Sequence, residues 1–143
     1  QNIKKYKSNI GTVKTKNAIK ESEKVISSFD VKTPGTNTLA TALSGGNQQK
    51  FVVGRELEDN PSLLIASQPT RGIDIGAQAL IWEKLRTTRD QGLSVLLISA
   101  DLEELIGLSD RIIVFYQGRL VKELNAENVT PEDLGGYMTG LKK

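Results

Sequence analysis

Neither cysteine nor histidine occurs among the 143 residues of the sequence. The first absence excludes disulfide staples, thiolate metal sites and a cysteine nucleophile, and it fits a reducing compartment. The second excludes imidazole metal ligands, a histidine acid or base, and a histidine pH switch. Aromatic residues are scarce, at 5%. No apolar run approaches the roughly 18 residues of a membrane-spanning helix. The polar, lysine-rich start lacks the apolar stretch of a secretory signal. The chain opens on Gln1 and not on methionine, from which we expect an excised segment of something longer.

What is present is one domain's worth of residues, 38% apolar and 25% charged, enough to bury a core and stay soluble. The net charge of +2 hides an asymmetry: residues 1–42 carry eight lysines and three acids, and the remainder is net acidic. A solvated helical face explains the lysines. A nucleic-acid arm is the rival reading, weakened by the absence of arginine and by only two aromatics, Tyr6 and Phe29, in that stretch. We expect no nucleic-acid partner.

Residues 17–29 place Ile19, Ile26 and Phe29 near helical spacing. Pro34-Gly35 marks a loop. Beyond it the pattern alternates. Residues 47–59 read as a helix with Val53 and Leu57 one turn apart, stopped by Asn60-Pro61. Leu63 to Ala66 is continuously apolar, as in a strand covered on both faces. Residues 74–90 read as a helix with Ala77, Leu80, Ile81 and Leu85 on one side. A second buried strand runs from Leu93 to Ser99, and Asp101 is placed to cap a short helix. Arg111–Tyr116 and Arg119–Leu124 form a hairpin about Gln117-Gly118. Thr130-Pro131-Glu132-Asp133 opens a last helix. Strands separated by helices predict an α/β fold with a parallel sheet. We divide the chain into a mostly helical piece, 1–42, and an α/β core, 43–143.

Leu43-Ser44-Gly45-Gly46-Asn47-Gln48-Gln49-Lys50 precedes a helix. The glycines permit close backbone approach, the helix start offers unpaired N–H groups and a positive dipole end, and Ser44 adds a hydroxyl. Alone, this is a weak signal, better read as a flexible loop with an N-cap. Its neighbours change the weighting: Ser67-Gln68-Pro69-Thr70-Arg71-Gly72-Ile73-Asp74 closes the first strand, and Ser99-Ala100-Asp101 closes the second. This order resembles the nucleotide-binding domain of ABC transporters over nearly the whole chain. Leu43 to Gln48 resembles the signature, Leu63 to Ser67 the Walker B strand, Arg71-Gly72-Ile73-Asp74 the loop that contacts the partner subunit, and Val95 to Ala100 the switch strand. The Asn-Gln-Gln-Lys and Pro-Thr-Arg-Gly-Ile-Asp runs resemble ATP-binding proteins of simple-sugar and nucleoside importers, in which two such domains are fused. The pattern here is similar to the second.

Three departures stand out. No Gly-x-x-x-x-Gly-Lys-Ser/Thr phosphate loop occurs. In the family that loop precedes the helical subdomain, so the resemblance implies a chain that begins after it, with Gln1-Asn2-Ile3 at the start of that subdomain. The Walker B strand ordinarily ends in a carboxylate for Mg²⁺ and a glutamate for the attacking water; here stand Ser67 and Gln68. The switch histidine is replaced by Ala100.

In the family, ATP lies between one domain's phosphate loop and the other's signature. The resemblance therefore implies a P-loop NTPase-like core, truncated, with part of the helical subdomain at its N-terminus. Leu43 to Gln48 would face ATP bound by the partner domain, and Arg71, Gly72 and Asp74 would contact that partner. The domain's own site would be degenerate, with no catalytic residue. ATP and Mg²⁺ would serve the full assembly and would not be bound by this segment. Implied partners are the fused first ATPase domain, two membrane permease subunits and, indirectly, a substrate-binding lipoprotein, at the cytoplasmic face of a bacterial membrane.

The alternative is the head of a DNA-repair or chromosome-maintenance ATPase, which also carries Ser-Gly-Gly signatures. Plainer roles stay open: Ser67 as a strand end, Gln68 as a turn residue, Asp74 as an N-cap and Trp82 as packing. The family's phosphate-loop strand would lie between strands 93–99 and 111–116. Without it we expect either a closed-up sheet or open edges that self-associate.

Overall fold

The computed structural model describes residues 14–142. Lys4, Lys5, Tyr6, Lys7 and the expected subdomain start at Gln1-Asn2-Ile3 lie outside the described residues. Two compact units emerge. Within the described residues, one comprises 14–61 and 70–81, the other 62–69 and 82–142.

The first unit is helical. Helix α1, Thr15–Ser28, buries Val25 and is followed by the buried Phe29 and Val31. It stops where Asp30 turns left-handed and the Val31 N–H donates to the Ile26 carbonyl at 3.0 Å, satisfying one of the carbonyls a helix end leaves orphaned. Lys14, Lys16, Lys20 and Lys24 stand exposed, as a solvated face should. Helix α2, Gly45–Glu58, buries Val53, Gly54 and Leu57. The Asp59 to Pro61 stop includes Asn60 in the left-handed region. At Gly54 an added Cβ would lie 2.7 Å from both Phe29 and Val25, so glycine sets how closely α1 and α2 approach.

The second unit holds the strands. β1, Leu63–Ser67, pairs in parallel with β2, Ser94–Ile98, in the register Ile65↔Leu96 and Ser67↔Ile98. β3, Arg111–Tyr116, pairs antiparallel with β4, Arg119–Asn125, through a Gln117-Gly118 turn with both residues at positive φ. That is the backbone a two-residue hairpin of this twist requires. Helix α3, Ile75–Asp90, supplies residues to each unit. In the second unit it is followed by α4, Leu102–Leu108, and α5, Pro131–Met138. Thr130 and Asp133 cap α5 reciprocally, and Lys142 ion-pairs with Asp133. A core of Ile112, Val114, Ala126 and the fully buried Leu134 joins β3 to α5.

The sheet does not close up. Among the described residues no ladder joins β2 to β3; a cleft of about 670 Å³ lies along them, lined by Val95, Leu97, Ile112, Val114, Leu134 and Met138 among others. The expectation that β1 and β2 are covered on both faces also fails. Ala66 is buried, but Ile65 is 60% exposed and Leu96 and Ile98 about half exposed. An apolar run shows what a strand is able to bury; the partner for its outer face must come from elsewhere.

Candidate functional site

The glycine-rich segment forms the N-terminus of α2. Ser44 is the N-cap, extended at φ −61° and ψ 157°. Its Oγ accepts from the Asn47 backbone N–H at 3.4 Å and from Asn47 Nδ2 at 2.9 Å. Both lone pairs are thus engaged, and the hydroxyl proton is the group left to donate. Asn47 Oδ1 in turn accepts the Lys32 N–H at 2.8 Å, and Gln48 Nε2 donates to the Leu43 carbonyl at 2.9 Å. The side chains of Asn47 and Gln48 therefore brace the turn from within. Ser44 and Gly45 are exposed. The Ser44 hydroxyl and the Gly45 N–H, at a helix start with a dipole of the right sign, form a place an anion is able to dock.

The segment that carries Arg71, Gly72 and Asp74 belongs to the same unit. Asp74 caps α3, its Oδ1 accepting from the Ala77 N–H at 2.9 Å, as its plainer reading held. Arg71, Gly72 and Asp74 are all exposed. The structure brings the two segments together: a Cβ on Gly46 would sit 2.8 Å from Asp74 Oδ2, and one on Gly45 would have the Gly72 carbonyl 3.9 Å away.

Ser67, Gln68 and Ala100 lie in the second unit, at the ends of the paired strands β1 and β2. The Gln68 N–H donates to the Ile98 carbonyl at 2.7 Å. Gln68 itself sits at φ 50°, a left-handed conformation uncommon for a residue of this kind. Ser67 and Ala100 are exposed. None of the three offers an anionic oxygen. Among the described residues no cluster of three acidic or other metal-ligating side chains occurs anywhere. The donor set at this strand end therefore does not fit Mg²⁺, which favours carboxylates and phosphates.

Sequence reasoning also missed a buried polar contact within the second unit. Glu104 is 1% exposed and accepts from Trp82 Nε1 at 3.1 Å. The Glu104 N–H is held by Asp101 Oδ1 at 3.0 Å, and the Arg86 guanidinium lies over the Trp82 ring. Trp82 is thereby a packing and hydrogen-bonding residue. The Asp101 cap was visible in the sequence; the reach of Glu104 to a tryptophan 22 positions earlier had no local signal.

No family model matches the chain. Curated relatives do. It is 47% identical over 137 residues to the guanosine import ATP-binding protein NupO of Bacillus subtilis, covering 96% of this chain and 27% of that protein. It is 40% identical over 136 residues to the ribose import ATP-binding protein RbsA of Clostridium tetani, again covering 27% of the relative. With the nucleoside import ATP-binding protein NupA of Lactococcus lactis it shares 46% identity over 112 residues, 78% of this chain and 22% of the relative. The chain thus spans about a quarter of the length of the relatives it matches.

Among solved structures it superposes on the dimeric ATP-binding cassette MJ0796 bound to ADP and Pi, with a TM-score of 0.68, 23% identity and coverage of 81% of this chain and 50% of that one. The inward-facing structure of a putative metal-chelate type ABC transporter gives 0.74 at 15% identity, covering 95% of this chain and 54% of that one. The chain has the α/β fold of an ABC transporter ATPase, and its sequence relatives are nucleoside and sugar import ATP-binding proteins.

Proposed function

We propose that the chain is the C-terminal part of the second, degenerate ATPase domain of a nucleoside or simple-sugar importer. It donates its signature to ATP held by the partner domain and runs no ATP site of its own. Ser44, Gly45 and Gly46 close on the γ-phosphate from the signature side, with the α2 N–H groups and the Ser44 hydroxyl stabilising charge that develops there. Arg71, Gly72 and Asp74 meet the partner domain. ATP and Mg²⁺ belong to the assembled protein. The fused first ATPase domain, the permease subunits and a substrate-binding lipoprotein are its partners, at the cytoplasmic face of the membrane.

The observation that carries this reading is a contrast. The start of α2 is capped, exposed at Ser44 and Gly45, and offers a hydroxyl and a backbone N–H there, whereas Ser67, Gln68 and Ala100 at the strand end supply no carboxylate for Mg²⁺ and no base for water. The Gln68 amide is able to hydrogen-bond water but not to take its proton. The import names of the relatives favour transport over the DNA-repair alternative.

Equilibrium binding of ATP by this chain, with and without Mg²⁺, tests the degenerate site. Weak binding that Mg²⁺ leaves unchanged is expected; tight, Mg²⁺-dependent binding refutes it. Salt-dependent binding of duplex DNA at physiological ionic strength would revive the alternative.

A further inference from the structure

The two signature glycines occupy different environments. Gly45 is exposed, and a Cβ there would meet only the Gly72 carbonyl oxygen, at an ordinary 3.9 Å. Gly46 is buried, and a Cβ there would lie 2.8 Å from Asp74 Oδ2 and 3.0 Å from the Ala77 Cβ. The bareness of Gly46 therefore faces this chain's own α3 and not a ligand. The Asp74 carboxylate faces two ways: Oδ1 holds the Ala77 N–H at the start of α3, and Oδ2 occupies the space that a side chain on Gly46 at the start of α2 would need.

We propose that Asp74 is a positioning residue for the signature: its carboxylate fills the gap left by Gly46 and so sets, as a packing clamp, how closely the starts of α2 and α3 approach. The signature and the Arg71–Asp74 loop then move as one body, and a displacement of that loop shifts the Ser44 and Gly45 donors with it. This deepens, and rests on, the reading of Ser44 to Gln48 as a nucleotide-facing surface. The clamp differs from the cap. A serine at position 74 would keep an acceptor for the Ala77 N–H while removing the oxygen that faces Gly46.

The test is a double-mutant cycle in the full-length protein assembled with its permease, using Gly46→Ala, Asp74→Ser and their combination. Gly46→Ala should lower kcat by about 100-fold, the scale set by ångström-sized misplacement of transition-state donors. KM for ATP should change little, because the partner domain holds the nucleotide. Adding Asp74→Ser should recover at least about threefold of the loss, the coupling expected of residues in contact. An equal loss from Gly46→Ala in both backgrounds, or a silent Gly46→Ala, overturns the clamp.

Two further readouts keep the outcome attributable. Hydrogen exchange at the Asn47 and Gln48 amides should speed up in Asp74→Ser, while the Ala77 amide, still capped, does not change; uniform exchange across the three overturns the clamp without reference to turnover. Gly45→Asp places a charge on the exposed side without touching Asp74. If Gly45→Asp is silent, the signature reading itself fails. If it abolishes turnover and the cycle shows no coupling, only the clamp fails.

Discussion

The two compact units are built differently, one from helices and the other around paired strands. In the helical unit, Val25, Phe29, Val31, Val53, Leu57 and Ile81 are buried, and Gly54 lets the helices meet closely. The strand unit has a firm core at Ile112, Val114 and Leu134, yet leaves Ile65, Leu96, Ile98, Ile113 and Phe115 about half exposed or more. Among the described residues its two-stranded sheets also remain unjoined. The segments proposed to serve a partner's ATP, Ser44 to Gln48 and Arg71 to Asp74, fall in the helical unit, whose most exposed apolar side chains, Leu39 and Ile75, lie on a loop and at a helix start. The positions that departed from the family pattern, Ser67, Gln68 and Ala100, fall in the unit with bare strand faces. A donor surface needs only its own scaffold, whereas a nucleotide site at strand ends needs neighbouring strands and loops as well.

That contrast is open to breakage at graded cost. In the strand unit, Leu134→Ala empties a fully buried site and should destabilise by about 2–5 kcal/mol in chemical denaturation. In the helical unit, Gly54→Ala forces a methyl into contact with Phe29 and Val25 and should cost about 1–3 kcal/mol. Were Gly54→Ala neutral, the tight approach of α1 and α2 would be disproved. Thr130→Ala removes the capping oxygen of α5 and should cost about 1 kcal/mol.

The α5 cap also carries a pH signature. Hydrogen bonds from Lys142 and then Thr130 hold the Asp133 carboxyl below its ordinary 3.8. A carboxylate whose folded pKa is depressed contributes stability above its unfolded value and loses it as pH falls through the folded one. The contribution of Asp133 should therefore be intact at neutral pH and fade below about pH 4, with Asp133→Asn removing that part of the acid slope. The smallest stability effect is expected on the bare sheet face, where Ile65→Lys should stay within about 0.5 kcal/mol. The same change should reduce self-association through the open edges, read by light scattering. A chain that is monomeric before the change would remove the basis for that expectation.

Local chemistry was legible in the sequence wherever one residue decides the backbone. The Gln117-Gly118 turn, the Asn60-Pro61 stop, the Asp101 cap and the Thr130-Pro131 helix start all stand where their residue types place them. The helix start at Ser44 was legible for the same reason. Its bracing was not, because Lys32 reaches Asn47 across 15 positions and Asp74 meets Gly46 across the chain. Such contacts follow from tertiary packing and leave no periodic trace. The outer faces of β1 and β2 were misjudged because apolar character at Ile65 and Leu96 reports a capacity for burial, not the element that supplies it.

The asymmetry between the two strand-end and helix-start surfaces is tested most directly by ATP turnover of the full-length, assembled protein carrying either Gly45→Asp or Gln68→Ala. The account predicts that Gly45→Asp abolishes turnover, because it blocks the donor surface, while Gln68→Ala leaves it at the wild-type rate. Full activity with Gly45→Asp, or its loss with Gln68→Ala, would contradict the account.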